Sequence, residues 1–256
     1  MKAAGGYNED RKKLELVSTP GTRGGDEGNI DIAPDAGTDK PPDIPPCFFV
    51  HGYASTPAHS CILRARLRGE GLVVRTARLP WMAMGDIARS AEVVAEQVEE
   101  MKRDLGVERV NLIGHSLGGV IIRYYLQKME GWRDLKRVVY LATPFHGSYL
   151  AYLTPLTKAG RQLHPGSDFI TCMEREGSRC RKPRCLSIYS MLDYITIPHT
   201  TCHLDCAYNQ KVWLPAGHLG LLLSKRAVEW TTDFLQGKLN GAMEPMTGRD
   251  GRDIAC

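Results

Sequence analysis

The stretch Val110-Asn111-Leu112-Ile113-Gly114-His115-Ser116-Leu117-Gly118-Gly119-Val120-Ile121-Ile122 decides how this chain is read. Val110 to Ile113 is a short apolar run of the kind that forms a buried strand, and the apolar residues from Leu117 onward suit a helix. Between them stands Gly-x-Ser-x-Gly. Alone the motif says little, because Gly and Ser are common residues. Its setting gives it weight, since a strand-turn-helix corner lifts a serine hydroxyl above the edge of a sheet. The glycines have a steric reason: the serine takes a strained backbone conformation, and side chains at 114 and 118 would collide with the neighbouring strand and helix. The bland alternative is a glycine turn with an idle serine.

Working outward, short apolar runs alternate with amphipathic stretches from Cys47 on, which predicts a mostly parallel central sheet flanked by helices. Strands are expected at Cys47 to Val50, Leu72 to Arg78, Arg109 to Ile113, Arg137 to Ala142, Cys185 to Tyr189 and Lys211 to Leu214. The clearest helix is Asp86 to Leu105, where Ile87, Ala91, Val94, Val98, Met101 and Leu105 share one face. A last helix is expected over Leu219 to Leu235. Residues 1–46 are rich in Gly, Pro, Asp and Lys and too poor in large apolar residues to offset chain entropy, so they read as a disordered arm with one short strand at Lys13 to Val17. Residues 47–236 form the folded domain, and 237–256 a flexible tail.

Composition narrows the classes of function. A chain of 256 residues, 43% hydrophobic and 24% charged, is long enough for one well-buried core. The net charge of +4 comes from dispersed basic residues and gives no case for nucleic acid. There is no apolar run of the length that spans a membrane, and Met1 to Ser18 lacks the apolar core of a signal peptide. The expectation is a cytoplasmic protein, with secretion left open should an upstream leader have been removed.

Five motifs in order, Phe48-Phe49-Val50-His51-Gly52, the Gly114 to Gly119 turn, Thr143-Pro144-Phe145-His146-Gly147-Ser148, Ser190-Met191-Leu192-Asp193-Tyr194-Ile195-Thr196-Ile197-Pro198 and Gly217-His218-Leu219, resemble bacterial lipases and esterases of the α/β-hydrolase superfamily. The resemblance runs from about Cys47 to Gln236 and identifies a branch of the superfamily, not a substrate. It implies an α/β-hydrolase fold and acyl transfer through a serine. In that fold one backbone N–H of the oxyanion hole comes from the residue after the nucleophile, here Leu117. By resemblance Tyr53, after His51-Gly52, donates the second.

The triad order on this fold is serine, acid, histidine. His51, His59 and His115 precede Ser116 and break that order, His146 and His164 fall in a turn and an insertion, and His199 and His203 come too soon after the acid-bearing strand. His218 remains as general base, with a satisfied surface histidine as the alternative. Asp193, just past the strand Cys185 to Tyr189, is the expected acid, and Asp205 is its rival.

More than forty residues separate two expected strands between Ala142 and Cys185, far beyond an ordinary connection of about 2 to 6 residues. Residues 149–184 therefore read as an apolar insertion. In the resembling lipases such a region caps the serine, and Leu153, Leu156 and Phe169 are the candidate substrate-binding residues. The alternative is a plain packing helix. Cys172, Cys180, Cys185, Cys202, His203 and Cys206 cluster in sequence without a paired C-x2-C spacing, so no metal is assigned, and either a cap disulfide or free thiols are open. The reading is a serine carboxylic ester hydrolase acting on a small-molecule or lipid ester, with medium or long acyl chains favoured. It needs no cofactor, allows peripheral contact with a lipid surface and leaves the oligomeric state unknown. An acyltransferase or thioesterase with the same residues is the alternative, and a non-catalytic binding module a further one.

Overall fold

The structure is a computed structural model and describes residues 44–175, 184–212 and 217–239; the expected arm strand at Lys13 to Val17 and most of the tail lie outside these. The strands are β1 (Cys47–Val50), β2 (Val74–Thr76), β3 (Val110–His115), β4 (Leu135–Leu141), β5 (Arg184–Ser190) and β6 (Tyr208–Val212). The helices are α1 (Cys61–Gly69), α2 (Ile87–Leu105), α3 (Leu117–Lys128), α4 (Lys158–Gln162), α5 (Asp168–Arg175), α6 (Gly217–Leu223) and α7 (Lys225–Leu235).

The strands form one parallel sheet in the order β2-β1-β3-β4-β5-β6. Side chains alternate between its faces, as the pleat requires. Phe48, Leu112 and Val138 enter one core, while Phe49, Ile113 and Val139 enter the other. Both cores are closed by helices, so the central strands are buried on two sides, which is why they read as unbroken apolar runs. The first core takes in α2 and α3, which pack on each other, and the second takes in α1, α6 and α7.

Local sequence sets the helix limits. Asp86 caps α2 by accepting the Ala88 N–H, and Gly106 ends it in the left-handed region at φ 60°. The C-terminal part departs from expectation. The last strand begins at Tyr208 rather than Lys211, and it pairs with β5 from Leu186↔Tyr208 to Ser190↔Val212. As an edge strand it carries half-buried Tyr208, Asn209 and Gln210, whose polarity hides it from an apolar pattern. The expected single helix from Leu219 is two helices. Ser224 sits between them in an extended conformation and accepts the Ala227 N–H, making a new N-cap.

The chain runs from β1 outward to β2 and then returns to place β3 on the other side of β1. A crevice at the carboxyl ends of β1 and β3 follows from that reversal, and such switch points hold ligands in open α/β sheets. Ser116 leaves β3 there, beside His51-Gly52 at the end of β1.

Candidate active site

Ser116 stands between β3 and α3 at φ 55°, ψ −127°, a region that side-chain-bearing residues rarely occupy. Its N–H donates to the Leu141 carbonyl at 2.8 Å, tying the corner to β4. Two glycines make the corner sterically feasible. A Cβ at Gly114 would lie 2.6 Å from the Gly119 Cα of α3, and one at Gly118 would lie 2.1 Å from the Val50 carbonyl oxygen of β1. Both contacts are with backbone, which cannot swing aside.

His218 falls in the first turn of α6, and its Nδ1 is 2.8 Å from Asp193 Oδ2. The Asp193 side chain is fully buried and that of His218 nearly so. The second oxygen of Asp193 accepts the N–H groups of Ile195 and Thr196 at 2.8 and 2.9 Å. Burial pushes this carboxyl up, but the hydrogen bond and charge of His218, with the Thr196 N–H, outweigh it and hold the acid down at about 2. The carboxylate is therefore charged throughout the working range of pH. Asp205, the rival acid, is exposed and pairs with His203 at 3.4 Å.

The oxyanion candidates flank the serine. Leu117 opens α3, so its N–H has no partner within the helix. Tyr53 lines the crevice and its hydroxyl contacts Thr157 Oγ1 at 3.0 Å. The other histidines are accounted for differently. His146 is exposed and pairs with Glu174 at 2.7 Å, and His164 contacts the Ala151 carbonyl at 3.1 Å. Burial pushes the Cys47 and Cys202 thiols up to about 12, so both are protonated at neutral pH.

A cavity of about 90 Å³ opens at Ser116, lined by Tyr53, Pro144, Ser148, Leu150, Ala151, Thr154, Leu163, Ile195 and Thr196. The insertion does contribute a wall, through Leu150, Ala151, Thr154 and Leu163, but the structure does not bring Leu153, Leu156 or Phe169 to it. Leu153 and Leu156 project into solvent at 76% and 94% exposure. Phe169, on α5, stacks on Tyr124 of α3 with ring centroids 5.8 Å apart and serves the core. Hydropathy alone marks all of these residues as apolar and does not say which side of a short turn faces the serine. The lining residues Pro144 and Ser148 lie inside the Thr143 to Ser148 stretch that carries part of the family resemblance, and Leu150 and Leu163 carry no signal that separates them from their neighbours.

Hydrogen bonds stitch the turn after β4 to the loop carrying the acid. Ser148 Oγ donates to the Ile195 carbonyl at 2.6 Å, the Tyr149 N–H donates to the Ile197 carbonyl at 2.9 Å, and Thr201 Oγ1 donates to the Gly147 carbonyl at 2.6 Å. Among the described residues no group of three His, Cys, Asp or Glu side chains converges to hold a metal ion, and no helix is long and apolar enough to cross a membrane. Cys47, Cys61, Cys172, Cys185 and Cys202 form no disulfide, whereas Cys206 is disulfide-bonded.

Comparison with known proteins agrees with this architecture. Residues 89–163, from α2 through the Ser116 corner to just past α4, match the family described as lecithin:cholesterol acyltransferase. Lipase B of Aspergillus fumigatus superimposes with a TM-score of 0.67 at 19% identity, over 75% of this chain and 52% of that one. The chain thus spans about half the length of the Aspergillus lipase. The mature lipase of Bacillus licheniformis gives 0.65 at 17% identity, over 77% and 94%. A monoacylglycerol lipase of Paleococcus ferrophilus gives 0.53 at 15%, over 77% and 96%. The chain has the α/β-hydrolase fold in the form found in these lipases.

Proposed function

We propose that this protein is a serine hydrolase of carboxylic esters. One observation carries the reading: a buried His218–Asp193 pair at 2.8 Å whose histidine ring packs on His115, the residue preceding a serine held at φ 55° on a strand-to-helix corner. Ser116 Oγ attacks the ester carbonyl while His218 takes its proton through Nε2, and the N–H groups of Leu117 and Tyr53 receive the oxyanion. Asp193 accepts from Nδ1–H, fixes the tautomer and stabilises the imidazolium. Its depressed pKa suits that role, since it remains a carboxylate. Collapse expels the alcohol, protonated by His218, and leaves an acyl group on Ser116. Water, deprotonated by the same histidine, then releases the carboxylic acid. No cofactor enters this chemistry, and the substrate is a small-molecule or lipid ester.

The size of the cavity bears on the acyl group. A cavity of about 90 Å³ that is open to solvent supports short esters over the medium and long chains that an apolar cap suggests. Labelling by a fluorophosphonate and turnover of p-nitrophenyl butyrate test the hydrolase reading. Both are expected in the wild type and lost in Ser116→Ala. Turnover that survives this substitution removes Ser116 as nucleophile.

A second reading keeps the serine chemistry and passes the acyl group to an alcohol. The match of residues 89–163 to the lecithin:cholesterol acyltransferase family favours it. Product partition with added glycerol decides: glyceride exceeding free acid at millimolar glycerol indicates a transferase, and free acid in proportion to water indicates a hydrolase.

A further inference from the structure

His115, the residue immediately before Ser116, breaks the triad order and has no place in the acyl-transfer steps. Its environment is nonetheless specific. The ring is buried at 4% exposure, its Nε2 lies 3.3 Å from the carbonyl oxygen of His218, and its centroid stands 4.7 Å from the His218 ring at a tilt of 51°. A carbonyl only accepts, so the His115 nitrogen in this contact is the one that carries the hydrogen. We propose that His115 is a positioning residue that holds the backbone and ring of His218 against the serine corner, as a neutral Nε2–H donor.

The neighbourhood explains why such a hold is needed. On one side Asp193 grips His218 through Nδ1. That bond leaves the ring free to pivot about the Nδ1···Oδ2 line, and so to carry Nε2 toward or away from Ser116. Asp193 lies on the loop after β5 and His218 on α6, so neither belongs to the β3–α3 corner that fixes the nucleophile. His115 does belong to it. A ring contact and a hydrogen bond from the residue adjoining Ser116 tie the base to the same rigid corner as the nucleophile, and catalytic geometry requires that kind of shared frame.

The charged and titratable groups around the His115 ring are His218, Asp193 and His51. Burial first, and then the neighbouring His218, push its pKa down to about 3, against the pull of the His218 carbonyl and Asp193. The ring is therefore uncharged when the enzyme works and places no competing cation beside the imidazolium that forms on His218.

The inference rests on the hydrolase reading, and its test separates the two. His115→Phe keeps a buried ring of similar size and removes the donor, whereas His115→Gln restores an N–H at a similar reach. The expected result is a fall in kcat of about 10- to 100-fold in His115→Phe with KM within about twofold, and recovery to within about threefold of wild type in His115→Gln. The low-field proton resonance of His218 Nδ1–H supplies a readout independent of turnover: present in wild type and in His115→Gln, broadened by exchange with water in His115→Phe. An unchanged kcat and an unchanged resonance in His115→Phe overturn the proposal. So do equal losses in both variants accompanied by equal falls in Tm, which identify a packing role only. Should the wild type turn over no ester, the hydrolase reading fails and the resonance alone decides the role of His115.

Discussion

Replacing Asp193 by Asn changes one atom and tests the acid, the tautomer and the fold together. The oxygen that accepts the Ile195 and Thr196 N–H groups at 2.8 and 2.9 Å can be retained as the amide oxygen, so the loop keeps its shape. The amide nitrogen then faces His218 Nδ1, which must become an acceptor, and the imidazole proton moves to Nε2, where a base needs its lone pair. Loss of the correct tautomer costs about 10^4 in kcat, or roughly 5 kcal/mol of activation free energy. The stability term follows from the depressed acid. A carboxyl held at about 2 against 3.8 contributes, at 1.36 kcal/mol per unit, about 2 kcal/mol. The folded-state pKa is lowered, so this stability is fully present above pH 3.8 and is lost as the pH falls toward 2. Asp193→Asn lacks it at every pH, so its Tm at neutral pH is expected to be about 4 to 8 °C lower, and the gap should narrow between pH 4 and 2. Steady-state hydrolysis of p-nitrophenyl butyrate and thermal melts from pH 2 to 7 measure both. A rate within tenfold of wild type, or a larger loss in Asp205→Asn, refutes the assignment.

The remaining expectations concern the corner and the cavity. Ser116→Ala and His218→Ala each lower kcat by several orders of magnitude, and the double variant is scarcely worse, because the two act as a unit; additive losses in single-turnover assays contradict the pairing. Gly118→Ala places a methyl 2.1 Å from the Val50 carbonyl and is expected to cost about 3 kcal/mol or more, seen as a Tm lower by about 6 to 12 °C. Gly69→Ala, with open space at its Cβ, serves as control and leaves Tm unchanged or higher. Leu163→Ala enlarges the cavity and raises kcat/KM for octanoate relative to butyrate, each accommodated methylene being worth about 0.8 kcal/mol. The same ratio in exposed Leu153→Asp and Leu156→Asp stays at the wild-type value, and a shift there as large as in Leu163→Ala means that those side chains reach the substrate after all.

The central sheet and its serine corner are readable from sequence because several requirements coincide there. An apolar strand buried on two faces, a helix and two glycines with no room for a methyl leave Ser116 little choice of place. Asp193 and His218 are accessible by a related route, since strand ends and chain order narrow the candidates, and the two stand in contact. Legibility falls where orientation rather than composition decides. Leu150 and Leu153 are the same residue type three positions apart, yet one lines the cavity and the other faces solvent. The start of β6 is obscured because an edge strand can carry Asn209 and Gln210. His115 is hidden for a different reason: a rule about triad order removes it as a base and is silent about a residue that acts on the base.

The seam joining Ser148, Tyr149 and Gly147 to Ile195, Ile197 and Thr201 has a consequence for how such a protein changes over time. One edge of the cavity at Ser116 and the loop carrying Asp193 share a single set of hydrogen bonds. Remodelling the wall at 148–150 for a new substrate displaces Asp193, and displacing Asp193 alters turnover. Selectivity and speed are therefore not separate dials along this edge, and mutations that broaden the substrate range there carry a penalty in kcat. Ala151 and Leu163 join the seam through backbone alone, the Ala151 N–H donating to the Ser148 carbonyl and the Leu163 carbonyl accepting the Ser148 N–H, so changes confined to their side chains leave these bonds in place, and diversification of substrate preference with turnover preserved is expected to accumulate there.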